Sequence, residues 1–125
     1  MEEREKIISN YINAYNAFDT DGMAVDMAED IYFENISNGE PTMVLNGIEA
    51  FKEQACKIKD YFTERRQTIT SIKHQENESD VSISYHAVLA IDIPGGPQKG
   101  AVLELSGRSV FVFNGNKIVR LTDIS

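Results

Sequence analysis

Apolar residues recur along the first segment of the chain at helical spacing. Ile8, Ile12, Tyr15 and Phe18 fall on one stripe with Ile7 and Tyr11 beside them, while Glu5, Lys6, Asn10 and Asn13 face elsewhere. This predicts an amphipathic helix. Asp19-Thr20-Asp21 breaks it and offers fresh N-cap oxygens, after which Met23, Val25 and Met27 predict a short second helix ending near Glu29-Asp30, the pair forming a helical hairpin. The β-branched and aromatic run from Ile31 to Ile36 meets the turn-prone Ser37-Asn38-Gly39 and predicts a short strand, the first of a sheet. Asn46-Gly47-Ile48-Glu49 supplies an N-cap with a glutamate three residues on. Ile48, Phe51, Ala55, Ile58 and Phe62 then continue at helical spacing as a third helix.

From Gln67 onward the period becomes alternating, and three turn signals (Glu76-Asn77-Glu78-Ser79, Pro94-Gly95-Gly96-Pro97, Asn114-Gly115-Asn116) divide the remainder into four runs. A four-stranded antiparallel meander follows. The first three runs are long for strands, so bends or bulges should curl the sheet and create a pocket. Val81, Ile83, Tyr85, Ala87, Leu89 and Ile91 share one face of one strand; Leu103, Leu105, Gly107, Ser109, Phe111 and Phe113 share one face of the next. Both sets are expected on the concave side. The predicted fold is α+β: a cone-shaped, curved antiparallel sheet wrapped over N-terminal helices around a small, mostly apolar pocket. Val88, Ala90, Val102, Val110 and Val112 leave an apolar area on the convex face, which predicts a homodimer packed sheet to sheet.

Composition narrows the setting. At 125 residues, with 42% hydrophobic and 26% charged, the chain is expected to be one globular domain, 1–125. With Cys56 the single cysteine and His74 and His86 the only histidines, neither an intramolecular disulfide nor a zinc site is expected, and a reducing cytoplasmic location fits. The acidic start, without a basic and then apolar leader, and the lack of a membrane-length apolar run predict no targeting segment and no membrane association. A net charge of -8 argues against nucleic acid and anionic lipid as partners. The Pro94-to-Gly100 stretch lacks the strand-to-helix context of a phosphate loop and is expected to be a hairpin loop at the pocket rim, so no cofactor is expected.

The order helix, helix, strand, helix, then four long strands resembles the nuclear transport factor 2-like superfamily, and within it the SnoaL-like polyketide cyclase group. The likeness rests on Tyr11-Ile12-Asn13-Ala14-Tyr15 with its Asp19 break, Ala28-Glu29-Asp30, Asn46-Gly47-Ile48-Glu49-Ala50-Phe51, and the closing segment from Asn116 to Asp123. The resemblance implies a cone-shaped fold, often a dimer, hosting isomerases, cyclases, dehydratases, epoxide hydrolases and plain binding or assembly modules. Fold does not decide among these. The isomerase pattern puts its pocket tyrosine on Tyr11, its base on Asn35 and its acidic hydrogen-bond donor on Ser109. An amide cannot take a carbon-bound proton as a carboxylate does, so that mechanism is lost at Asn35. The cyclase-like pattern puts its final-strand aspartate on Asp123 and its partner histidine on Ser109.

Asp123 shares a strand phase with Val119 and Leu121, so it is expected to point inward among apolar neighbours, where its pKa would rise as suits a general base; a wet strand-end carboxylate is the alternative. Tyr11, Tyr15 and Tyr85 are candidate ligand contacts, and Tyr11 and Tyr15 could equally be core. Asn35 and Ser109 are expected as inward polar groups that need partners. His86 lies on the Ser82 and Ser84 face and is expected outward or at the dimer interface, His74 in solvent, and Cys56 buried. Two functions stay open: an enzyme moving protons on a small, largely apolar, carbonyl-bearing molecule with Asp123 as base, and a non-catalytic dimeric binding or assembly module.

Overall fold

The computed structural model describes residues 2–125. The elements are α1 (Glu2–Asn16), α2 (Thr20–Ala24), β1 (Met27–Ser37), β2 (Glu40–Asn46), α3 (Ile48–Ile58), a single 3-10 turn (Lys59–Tyr61), β3 (Phe62–His74), β4 (Glu78–Leu89), β5 (Val102–Asn114) and β6 (Lys117–Ile124). The six strands form one unclosed sheet in the order β2-β1-β6-β5-β4-β3. The expected α+β architecture is present, with one departure from a purely antiparallel sheet: β1 and β6 run parallel. All of α3 and the meander separate these two strands in sequence, so no hairpin dictates their relative direction.

The first helix forms as its periodicity requires. Ile7, Ile8, Tyr11 and Ile12 are buried, and Glu2, Glu3 and Glu5 in the first turn complement the positive end of the helix. It ends at Asn16, and Phe18 just beyond takes a left-handed φ of 59°. Asp19 then caps α2 as expected, its Oδ1 accepting from the Gly22 N–H at 2.9 Å. The second helix is far shorter than expected. It closes at Ala24 with Val25 as its C-cap, 63% exposed, and Met27 already belongs to β1.

A second strand, β2, was not expected. Asn38 and Gly39 both have positive φ (53° and 81°), the two-residue turn whose twist matches flanking strands, and it folds Glu40–Asn46 back along β1. Pro41 is tolerated because β2 is a sheet edge. The cap of α3 falls on Gly47 (φ 92°) without a side-chain hydrogen bond, so Asn46 does not supply it, and Phe62 begins β3 instead of ending α3. Cys56 is exposed, contrary to expectation: it follows the buried Phe51 by five residues and so lies off the inward stripe.

The four-stranded meander is present, beginning at Phe62 where Gln67 was expected. Its register shifts at Phe62/Glu64 and Ile69/Ser71 in β3 and at Val112/Phe113 in β5, as anticipated from the strand lengths. The last shift skips Val119, so Ile118 takes the buried position instead. Val81, Ile83, Ala87 and Leu89 are buried as expected, whereas Leu105 is 55% exposed in the wall of an open cavity. The Pro94-to-Gly100 loop is exposed and contributes no wall to either cavity described below, so it is not a pocket rim. His74 is largely buried against Ser79 (Nδ1 to Oγ 2.7 Å), because Arg4 of α1 draws the β3–β4 turn beneath the helix by donating to the carbonyls of Gln75, Glu76 and Glu78. No helix of the described residues is long and apolar enough to cross a membrane.

Gly107 sits against the end of β6: a Cβ there would lie 2.7 Å from the carbonyl oxygen of Ile124. Backbone cannot yield as a side-chain tip can. Gly107→Ala should therefore cost about 1–3 kcal/mol of stability, as overpacking does. Urea denaturation checks this; an unchanged midpoint would contradict the packing described.

Candidate functional site

Register brings the candidate polar residues into one line. Across the inner face Ser109 of β5 pairs with Asp123 of β6, Asp123 with Asn35 of β1, and Asn35 with Met43 of β2. The adjacent row is wholly apolar: Phe111, Leu121, Phe33 and Leu45 pair in the same order. A row of polar side chains is thus laid beside a hydrophobic floor. Above it, Tyr11 and Tyr15 project from one face of α1, four residues apart.

Two cavities meet at this line. One, about 270 Å3, runs beneath α2 and α3 and is walled by Met23, Phe33, Leu45, Phe51 and Ile58 together with Tyr11 and Arg65. The other, about 240 Å3, lies over β4 and β5 and is more polar, with Tyr85, Gln67, Ser106 and Ser109 in its wall. Tyr15, Asn35 and Asp123 border both. The six candidates thus divide: Tyr11 faces the apolar cavity, Tyr85 and Ser109 the polar one, and Tyr15, Asn35 and Asp123 the waist between them.

Asp123 is the one ionisable group on that line. Its Oδ1 accepts a 2.7 Å hydrogen bond from the Ser109 hydroxyl. Burial raises its pKa from 3.8 to about 6 and outweighs the opposing effect of that bond. Its exposure is intermediate because the side chain borders both cavities, in whose walls Tyr11 and Tyr15 of α1 also stand. Tyr11 is buried with its ring edge-on to Phe111 (centroids 5.5 Å apart), and burial, with Asp123 and Tyr15 nearby, pushes its phenol well above the usual value. Tyr15 donates to the Tyr85 hydroxyl at 3.0 Å, and both phenols are raised, chiefly by burial. At neutral pH all three are therefore neutral hydrogen-bond donors. Asn35 donates to Thr42 Oγ1 at 2.8 Å, so its amide is partly committed.

His86 lies on the outer face between Glu104 and Glu64, whose hydrogen bonds, that of Glu104 foremost, raise its pKa. It is outward, as expected. Among the described residues no group of three or more His, Cys, Asp or Glu is arranged to hold a metal ion.

Two site residues went unread in the sequence. Arg65 and Gln67 continue the inward phase of Ile69 along β3, and each has a buried polar atom without a partner, Arg65 Nη2 and Gln67 Oε1. The signal was available: polar residues holding the phase of an inward isoleucine.

A curved sheet over three helices, with a polar line crossing its concave face, is the nuclear transport factor 2-like, or cystatin-like, class of fold. Within it the chain belongs to the SnoaL-like domain family, whose model matches residues 8–121. A comparison with curated proteins gives no match. Among solved structures, a protein from Xanthomonas campestris pv. campestris provisionally named a polyketide cyclase superposes with a TM-score of 0.85 at 20% identity, over 99% of this chain and 90% of that one. A cystatin-fold protein from Novosphingobium aromaticivorans gives 0.75 at 19% identity, over 96% of each chain. TerC, co-crystallised with polyporic acid, gives 0.78 at 14% identity, over 98% of this chain and 90% of that one. Likeness at these identities is likeness of fold.

The raised pKa makes a signed prediction. Between about pH 4 and 6 the folded protein keeps a proton on Asp123 that the unfolded chain releases, so stability from this group falls as pH rises and is gone above about 6. The full loss is up to about 3 kcal/mol. Asp123→Asn should remove it, so the variant's stability relative to wild type should be about 1–3 kcal/mol more favourable at pH 8 than at pH 4. Urea denaturation at both pH values tests this, and a difference independent of pH would contradict a raised pKa.

Proposed function

We propose that this protein is a proton-transfer enzyme of the cyclase, isomerase or hydratase type acting on a small, largely apolar, carbonyl-bearing molecule. The observation that carries the reading is the Asp123 carboxyl, held at the waist of the two cavities with its pKa raised to about 6. A base works best when its pKa lies near the working pH, and this one is ionised yet basic at neutrality. Asp123 removes a proton from the carbon next to the substrate carbonyl. The C–H electron pair moves to form the enolate, and Tyr11, or Tyr15 on turning its hydroxyl away from Tyr85, donates a hydrogen bond to the developing oxyanion. The enolate is then either reprotonated at another carbon by the Asp123 acid or adds to an electrophilic carbon of the same molecule.

Ser109 holds Asp123 in place and cannot itself act as an acid at neutral pH, so Asp123 must both take and return the proton. The apolar walls supplied by Phe33, Leu45 and Phe51 suit the hydrocarbon part of such a substrate. In wild-type enzyme, loss of deuterium from an α-deuterated aromatic ketone such as 2-acetylnaphthalene should rise with pH through an apparent pKa near 6 and then level off. Asp123→Asn should lower it at least about 100-fold, the usual contribution of a positioned acid or base. Equal exchange rates for the two proteins would remove Asp123 as the base.

A second reading, a dimeric binding or assembly module, draws support from the convex face, where Val88 pairs with Val102, itself 58% exposed, and where Val110 and Val112 lie towards the other end of the same face of β5. Pairing of two such faces would bury these residues. Light scattering at micromolar concentration should then give twice the 14.0 kDa chain mass, and Val102→Glu should shift it to the monomer. A monomer in the wild type would end the dimer proposal.

A further inference from the structure

Arg65 is a charged side chain in a place that disfavours charge. It is only 5% exposed, on the inner face of β3, opposite the fully buried Ala87. Its guanidinium lies between the rings of Tyr15 and Phe18, with Cζ 3.8 Å and 4.7 Å from the ring centroids, and its Nε donates to the Tyr15 carbonyl at 2.9 Å. Those contacts satisfy one edge of the group. Nη2 is sealed from solvent with no acceptor, and Arg65 takes part in none of the ion pairs of the described residues. Nor does Asp123 neutralise it: no ion pair joins the two, and Arg65 is not among the causes that set the Asp123 pKa.

A guanidinium carries a fixed charge and five donors in a planar fork, and burying it without an anion is costly unless something repays the lost water. The aromatic faces and one carbonyl repay part. The remainder must come from the side where Arg65 forms part of a wall, and that wall belongs to the apolar cavity.

We infer that the ligand of this cavity carries an anionic oxygen, a carboxylate or an acidic enol or phenol, which is received by the unpartnered edge of Arg65. The inference rests on the reading of the cavity as a substrate site, and it names the substrate class: an amphipathic organic acid with its apolar body against Phe33, Leu45 and Phe51 and its anion toward β3. The reacting carbonyl then lies at the waist, by Asp123. A fixed anchor and a base in the wall of the same cavity would orient the substrate before proton transfer begins.

Equilibrium binding tests this separately from turnover, so an inactive protein can still bear it out. The probes are 2-naphthoate and its near-isosteric neutral ketone, 2-acetylnaphthalene, followed by fluorescence or calorimetry with wild-type protein at pH 7.5. Naphthoate should bind at least about tenfold more tightly, and Arg65→Gln should abolish the preference. Because Arg65 also ties α1 to the sheet, that variant is accepted only if its circular dichroism spectrum is native. A second measurement needs no variant: in wild-type protein the Arg65 guanidinium 15N–1H resonances should shift on adding naphthoate and stay unmoved with the ketone. Equal affinities, no saturable naphthoate binding, or a shift absent from Arg65 would overturn the inference.

Discussion

The C-terminal end of α1 is laced to β3, and the interior of the protein depends on that lacing. Arg65 donates to the Tyr15 carbonyl, and the Asn16 side chain pairs with the Gln67 backbone like a short strand, donating to its carbonyl at 3.1 Å and accepting from its N–H at 2.7 Å. The negative end of the helix, which has no basic residue of its own in the last turn, receives its cation from the sheet. With the helix pinned at this height, Tyr11 and Tyr15 reach the sheet and the space beneath them cannot collapse. The cavities are what remains between a curved sheet and a helix held at a fixed distance from it.

From that constraint the chemistry follows in order. The curl of the long strands gives the sheet a concave face, and strand register sets Ser109, Asp123 and Asn35 side by side on it. Because Tyr11 and Tyr15 of α1 stand over that line, Asp123 keeps only partial contact with water, and loss of water outweighs the single hydroxyl that favours its charged form. The phenols around it are raised by the same burial and so held neutral. One physical cause, helix cover over a polar row, thus makes a stronger base and keeps its donors protonated.

Much of this was legible in the chain because local patterns carried it. The amphipathic α1, the Asp19 cap, the long alternating strands and the inward phase of Ser109 and Leu121 were all written in short-range periodicity. What escaped was long-range or exceptional. The parallel pairing of β1 with β6 joins segments that share no turn. β2 escaped because Glu40-Pro41-Thr42 carries no apolar signal at an edge strand. Val119 left its expected phase because a register shift, invisible in alternation, put Ile118 in its place. Met27 was assigned to a helix because it stands four residues after Met23, a spacing that helix and strand share. Arg65 was overlooked since a charged residue reads as solvated until its partners are seen to be aromatic faces and a helix end.

The account turns on whether the Asp123 carboxyl, in a chain with a net charge of -8 and many ordinary surface acids, stands apart from them. The most direct measurement is a 13C NMR titration of the aspartate carboxyl carbons, with the resonance assigned by its absence in Asp123→Asn. The account predicts a midpoint near 6, about two units above the other aspartates. A midpoint near 4 would mean that the helix does not keep water from this group, and the proposed base would lose its physical footing.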